Sequence, residues 1–309
     1  MALQKTTTSS APALATDSHS DSDSAIIYTP TSTASMASSS LTTNITPDPS
    51  KSANISVRKY IYLLPYPLPP KTPVPYSIHL PAKNPLNLPP TLFEPTITLV
   101  LTSPLNTFVD LRFFKPLVPS PYSDLQLDWG FAGTSSSVPI TKKKWKGVTH
   151  STWTHFVDSR GSSEEMDEGD MYPISEALTL EHGHAFHPDV GAVRSHEEMW
   201  EDQLILSTST SSTHDTKICI VLRLHDDAKN ARGVVIRLGQ YVQGIMVVGT
   251  EVTAERWEWS NEGGWMRTKS VGKGMLPCGV AMREEIMSVG AEIGVGEVKW
   301  DVEEVWEWE

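Results

Sequence analysis

The last thirteen residues, EVKWDVEEVWEWE (297–309), carry the clearest structural signal in the chain. Val298, Trp300, Val302, Trp306 and Trp308 fall on even positions, and Lys299, Asp301, Glu303, Glu307 and Glu309 on odd ones. Successive side chains of an extended chain point to opposite faces, so the spacing predicts a strand with one apolar and one acidic face. Working back, KICIVLRL (217–224), GVVIRLGQYVQGIMVVGTEV (233–252) and TAERWEWS (253–260) repeat the β character, as does ALTLEHG (177–183) before them. TITLVLTS (96–103) and TFVDLRFF (107–114) lie close enough to pair as a hairpin with Pro104, Leu105 and Asn106 at the turn.

LDWGFAGTSSS (127–137), VTHSTWTHFVDSR (148–160) and VRKYIYLL (57–64) complete the strand inventory. Strands at intervals of about 8–12 residues with Gly, Asn and Asp between them mark an all-β chain of the sandwich or barrel kind. Helical signal is confined to SHEEMWEDQLI (195–205), where Ser195 is placed as N-cap, Glu198 follows three residues later, and Met199, Leu204 and Ile205 give a weak apolar stripe. Fifteen prolines between Pro65 and Pro121 forbid a helix there. That stretch reads as a long loop between two barrel strands or, through PYPLPPKTPVPY, as a ligand for aromatic-grooved adaptor domains.

Residues 1–54 contain 23 Ser or Thr and few large apolar side chains, so they are expected to form a disordered tail. Within it DSHSDSDS sets Ser18, Ser20, Ser22 and Ser24 among aspartates, the surroundings that acidophilic kinases favour, and these four are the candidate phosphorylation sites. The acidic stretch GSSEEMDEGD (161–170) reads as an acidic linker or a long loop, with the domain boundary near it. The expected division is therefore a tail at 1–54, a first β unit at 55–162 and a second at 163–309 that begins with the linker.

Hydrophobic residues make up 39% of the 309, with no apolar run of eighteen, so no membrane span is expected. The start of the chain lacks the pattern of a secretory leader or transit peptide, which leaves cytoplasm and nucleus as the expected location. Asn44 and Asn54 then match the glycosylation acceptor pattern only by chance. Residues 1–163 carry 13 Lys or Arg against 9 Asp or Glu, and residues 164–309 carry 12 against 28. Such an acidic second half repels phosphate backbones and attracts basic protein surfaces, so a protein partner is expected and nucleic acid is not. The basic turn KKKWK (142–146) reads as a solvated loop.

Cys219 and Cys278 belong to no spaced pair and read as buried thiols. No phosphate-binding loop, dinucleotide fingerprint, nucleophile elbow or zinc-protease motif is present, so no catalytic residue and no cofactor is expected and a non-enzymatic role is favoured. The strongest local cluster is His182, His184, His187 and His196 with Glu181, which reads either as a metal-ligand set or as exposed loop histidines. His150 and His155 flank Trp153, but their odd spacing sends them to opposite faces. Asp110 and Arg112 share one face of their strand as an ion pair or as ligand-orienting groups. The ten tryptophans, all beyond residue 128, either fill a barrel or floor an apolar ligand cavity.

The order of TFVDLR (107–112), LDWGFAGTSSS (127–137), the Trp153–Arg160 stretch, the Glu168-Gly-Asp170 turn and His196-Glu-Glu-Met-Trp200-Glu-Asp202 resembles a fungal family of lipocalin-like proteins named for association with a casein kinase I homologue. Arg232-Gly, Gly239-Gln240, Gln243-Gly244-Ile245, Glu255-Arg-Trp257 and Leu276-Pro-Cys278 continue the resemblance, which covers about residues 55–309. It implies two calycin-like antiparallel barrels, a cytoplasmic and nuclear location, and association with a casein-kinase-type enzyme and the translocation machinery. It implies no catalytic residues. An interaction protein is thus the first expectation for function. A carrier of an apolar small molecule, or an enzyme built in a barrel cavity, is the second.

Overall fold

Alternation carries most of the chain into extended structure. The computed structural model describes residues 28–29, 47–116, 126–141, 145–161, 166–209, 215–283 and 287–309. Tyr28–Thr29 form β1 and Pro49–Ser52 a single helical turn, α1. Eight strands follow: β2 (Asn54–Leu64), β3 (Thr96–Thr102), β4 (Thr107–Phe114), β5 (Leu127–Pro139), β6 (Thr149–Asp158), β7 (Met166–Pro173), β8 (Leu178–His187) and β9 (Ala192–Gln203). Each pairs antiparallel with the next, and β9 returns to β2, which closes a barrel. The second group comprises β10 (Lys217–Asp226), β11 (Ala231–Leu238), β12 (Tyr241–Val248), β13 (Glu251–Ser260), β14 (Gly264–Val271), the turn α2 (Cys278–Ala281), β15 (Glu292–Val295) and β16 (Val298–Trp308).

Three expectations change. The second group does not close: its strands and β1 form one eight-stranded sheet in the order β1, β15, β16, β10, β11, β12, β13, β14, with β1 and β14 at the edges. The acidic stretch around 166–170 is not a linker but the start of β7, paired on both sides, so the expected boundary at 162/163 falls inside the closed barrel. The break between the two strand groups lies instead between Gln203 and Lys217. The helix expected over 195–205 is the strand β9, because pairing with both β2 and β8 outweighs a weak helical stripe. The candidate serines 18, 20, 22 and 24 lie outside the described residues, as do Lys142, Lys143 and Lys144.

The apolar packing of the barrel lies on its outside. Leu99 and Leu101 of β3, Val109, Leu111 and Phe113 of β4, Ala132 and Val157 meet Cys219, Val221, Val234, Ile236, Leu238, Ile245 and Ala254 of the sheet in one buried cluster. Polar groups stitch the same seam. Gln243 Nε2 donates to the carbonyls of Leu99 and Val109, and Arg256 Nη2 donates to that of Leu111 at 2.8 Å. Burial pushes the Arg256 guanidinium down to about 10. The opposite face of the sheet is covered by α2 and the residues flanking it, Leu276, Met287 and Ala291, over a core centred on Trp300, which is fully buried.

The last strand departs from its simple alternation. Val221 pairs with Glu304 but Leu222 with Val302, so Glu303 is the extra residue of a β-bulge. Beyond the bulge the faces exchange: Trp300 and Val302 belong to the core under α2, whereas Trp306 and Trp308 pack toward the barrel. Glu304 is carried with them into the seam, where it is 3% exposed.

The remaining outer wall of the barrel is covered by the proline-rich segment between β2 and β3. A bulge at Lys59 turns Tyr60, Tyr62 and Leu64 outward, and they pack with Tyr76, Tyr172, Leu180 and Met199 beneath Leu68, Val74, Ile78 and Leu80. Glu197 pins this strap. Its fully buried carboxylate accepts hydrogen bonds from Tyr76 N, Ser77 N and Ser77 Oγ, each at 2.6 Å. Burial works against the carboxylate, but His182 and these donors hold it below the usual range. Glu197→Ala is expected to release the strap while the barrel stays folded. Limited trypsinolysis reads this as faster cleavage at the exposed Lys71 and Lys83, and an unchanged rate would show that the strap is held by packing alone.

Candidate functional site

Because the outer faces hold the apolar core, the inward positions are left to polar and aromatic groups. Arg58 from β2, Asp110 and Arg112 from β4, Trp129 and Phe131 from β5, and Glu198 and Trp200 from β9 line a cavity of about 1030 Å³ inside the barrel. Small inward residues on β7 and β8 keep it open. A Cβ on Gly183 would lie 2.9 Å from His196 Nε2, so the imidazole fits only above a glycine.

One wall of the lumen is an ion network. Arg58 Nε and Nη2 grip the two carboxylate oxygens of Glu94 at 2.7 and 3.1 Å, and Nη1 donates to Glu198 Oε1 at 2.6 Å. Arg112 reaches the same Glu198 oxygen at 3.4 Å and donates to Asp110 Oδ2 through Nε and Nη2, at 3.0 and 2.8 Å. Burial pushes the Glu198 carboxyl up, but Arg58 and Arg112 outweigh it and hold the group at about 2. Asp110 goes the other way: burial raises it and Arg112 compensates only in part. Its Oδ1 is buried and accepts no hydrogen bond among the described residues. The guanidinium of Arg112 also lies 5.0 Å from the Trp129 ring centre and 5.4 Å from that of Phe131.

The histidines separate. His155 lies inside the wall between Asp158 Oδ2 at 2.9 Å and Asp167 Oδ2 at 3.3 Å, stacked on Phe131. His150 pairs on the outer face with Asp170 and Glu168. His182 also faces outward, 3.4 Å from Glu197, and His184 stacks on Tyr66. Of the 182–196 cluster only His187 and His196 meet, at 3.2 Å, and Glu181 approaches the other nitrogen of His196 at 3.9 Å while accepting from Trp200 Nε1. The set does not converge on one point, and no group of three or more metal-ligating side chains occurs among the described residues. Nor is any helix among them long and apolar enough to cross a membrane.

Burial lowers the His155 imidazole, but the hydrogen bond to Asp158 and the neighbouring Asp167 carboxylate outweigh it and push the group up to about 9. A pKa raised from 6.5 stabilises the fold fully below pH 6.5 and loses that contribution as pH rises through about 9. The stability advantage of the wild type over His155→Gln is therefore expected to shrink across that window. Urea midpoints at a series of pH values check this, and a constant difference would mean that the imidazole is neutral in the fold.

The network joins β2, the end of the strap at Glu94, β4 and the middle of β9, and the Glu304 carboxylate ties the β3–β4 turn to the last strand of the sheet. A family model described as Protein HRI1 matches residues 79–304, across both the barrel and the sheet. The chain belongs to the HRI1 family. Protein HRI1 of Lachancea thermotolerans is 27% identical over 192 residues, a span that is 52% of this chain and 66% of that relative, just under two thirds of its length. A crystal structure of the uncharacterized protein YLR301w from Saccharomyces cerevisiae superposes with a TM-score of 0.58 at 18% identity, covering 82% of this chain and 99% of that one. The likeness carries the fold. The lumen network of this HRI1 family member includes Arg58, Glu94 and Glu198, which sequence reading did not single out. Glu198 reads from the sequence as a helix-capping residue, and Arg58 and Glu94 give no signal beyond their place at the ends of apolar segments.

Proposed function

We propose that the protein is a non-enzymatic carrier or sensor whose closed barrel binds a small molecule with a polar head and an apolar body. The observation that carries this reading is the open lumen of about 1030 Å³, with a fixed ion network on one wall and Trp129, Trp153, Trp200 and Phe131 on the others. A cavity of that size is in the range of pockets that bury a drug-sized ligand, and convergent polar groups among aromatic walls set its orientation. Native mass spectrometry of the full chain, gently purified from its natural source, tests the reading. A stoichiometric small-molecule adduct that is lost when Ala185→Trp fills the lumen supports it. A chain that flies at its own mass and leaves the emission of the apolar dye Nile red unchanged overturns it.

A second reading is favoured by the last strand, where Asp301, Glu303 and Glu307 are exposed. They add to the acidic character of the second half and offer a surface to a basic protein. The casein-kinase-type enzyme and the translocation machinery implied by the family resemblance, met in cytoplasm or nucleus, are the partners of this reading. Glu303→Lys with Glu307→Lys is expected to reduce copurification of such a partner, and undiminished recovery would remove the acidic strand from its recognition.

A further inference from the structure

We infer that the lumen selects an organic cation, with an ammonium-type head seated against Asp110 and Glu181 and an apolar or aromatic body along Trp129, Trp153 and Trp200. The inference rests on the reading of the lumen as a binding site and names the charge of what it takes.

Charge accounting comes first. The lining contains seven Asp or Glu against three Arg. The two guanidiniums deepest in the wall are already engaged: Arg58 by Glu94 and Glu198, and Arg112 by Asp110 and Glu198. Arg160, the third, pairs with Asp128 at 3.2 Å. His196 sits between Glu181 and His187 and is driven toward its charged form, burial opposing and Glu181 and Glu198 favouring it. Even with that imidazolium and the charged His155 beside Asp167 counted, and with Glu168 set aside on the outer face, six lining carboxylates face five cations. A lumen of low dielectric with surplus negative charge favours a cationic guest and rejects an anionic one.

An independent observation concerns Asp110. It is 3% exposed, lies in the cavity lining, and its Oδ1 accepts no hydrogen bond among the described residues, although its Oδ2 accepts two. Buried carboxylate oxygens are normally satisfied, and an orphaned one in the wall of a cavity is a place where a donor from a ligand completes the shell. The aromatic walls suit the same guest, since Trp and Phe faces attract ammonium groups. Trp129 already shows that behaviour, with Arg160 at 4.4 Å and Arg112 at 5.0 Å from its ring centre.

The test uses three probes of one shape, phenylbutylamine, phenylbutanol and phenylbutyrate, titrated calorimetrically into the full chain. The amine is expected to bind at least about tenfold more tightly than the alcohol, and the acid more weakly than either. Asp110→Asn is expected to bring the amine to within about threefold of the alcohol. Glu181→Gln, which keeps an oxygen for Trp200 Nε1, is the variant to use if Asp110→Asn does not fold, and the same loss of preference is expected. Equal binding of amine and acid, or tighter binding of the acid, overturns the cation assignment and leaves the lumen as a binding site. Binding of all three that persists in Ala185→Trp places the probes outside the lumen and overturns both.

Discussion

Replacing Glu198 by alanine is expected to lower the stability of the fold by about 3–5 kcal/mol, the range for removing one member of a buried ion pair. Its single Oε1 atom serves both Arg58, at 2.6 Å, and Arg112, at 3.4 Å, and the three side chains are 5%, 3% and 13% exposed. Removing the carboxylate leaves two guanidiniums facing each other across a desolvated wall with only Glu94 and Asp110 to balance them. The loss comes from the stranded charges more than from the vanished bonds, so Arg58→Met combined with Glu198→Met is expected to recover part of it. Urea denaturation followed by circular dichroism distinguishes the cases. A Glu198→Ala midpoint within about 1 kcal/mol of the wild type would show that water reaches the network and relieves it. Glu198, lowered from 4.5 to about 2, contributes its stabilisation above pH 4.5 and loses it as pH falls toward 2, so this variant is also expected to flatten the acid limb of the stability profile.

Glu304 is expected to behave unlike its neighbours. Its carboxylate accepts from Ser103 Oγ at 2.6 Å, Thr107 Oγ1 at 3.0 Å, Leu105 N at 3.3 Å and Trp306 Nε1 at 2.9 Å, all in the seam between barrel and sheet. Glu304→Ala deprives these donors at once and is expected to destabilise by about 2–4 kcal/mol. Glu303→Ala and Glu307→Ala, on exposed positions, are expected to stay within about 0.5 kcal/mol of the wild type. The contrast follows from a single inserted residue in the ladder. Equal small effects at all three positions would mean that the bulge at Glu303 is not part of the solution structure.

The pattern also explains what the sequence discloses and what it hides. The β3–β4 hairpin was legible down to its turn and to the two faces of β4, with Val109, Leu111 and Phe113 on one side and Phe108, Asp110 and Arg112 on the other. It could be read because its outer face is apolar throughout. Strand β7, MDEGDMYP, was not legible, because Asp167, Gly169 and Met171 face a polar lumen and no apolar period survives. Strand β9 failed for a related reason: His196, Glu198, Trp200 and Asp202 are inward, so the wall that counts is charged, and SHEEMWEDQ carries helix formers. The bulges at Lys59 and Glu303 exchange faces in mid-strand, and strict alternation places the residues beyond them on the wrong side. The ion network joins residues up to 140 apart in the chain, which local spacing does not reveal.

A barrel that is greasy outside and polar within is turned inside out relative to one filled by its own core. Its foldedness is secured by the strap and the adjoining sheet, so lumen positions away from the Arg58 and Arg112 network, such as Thr179 and Ala185, are released from packing duty. Substitutions there are expected to change the shape and polarity of the lumen without rebuilding the scaffold. The same freedom makes this chain a natural starting point for engineering receptors whose specificity is rewritten from within.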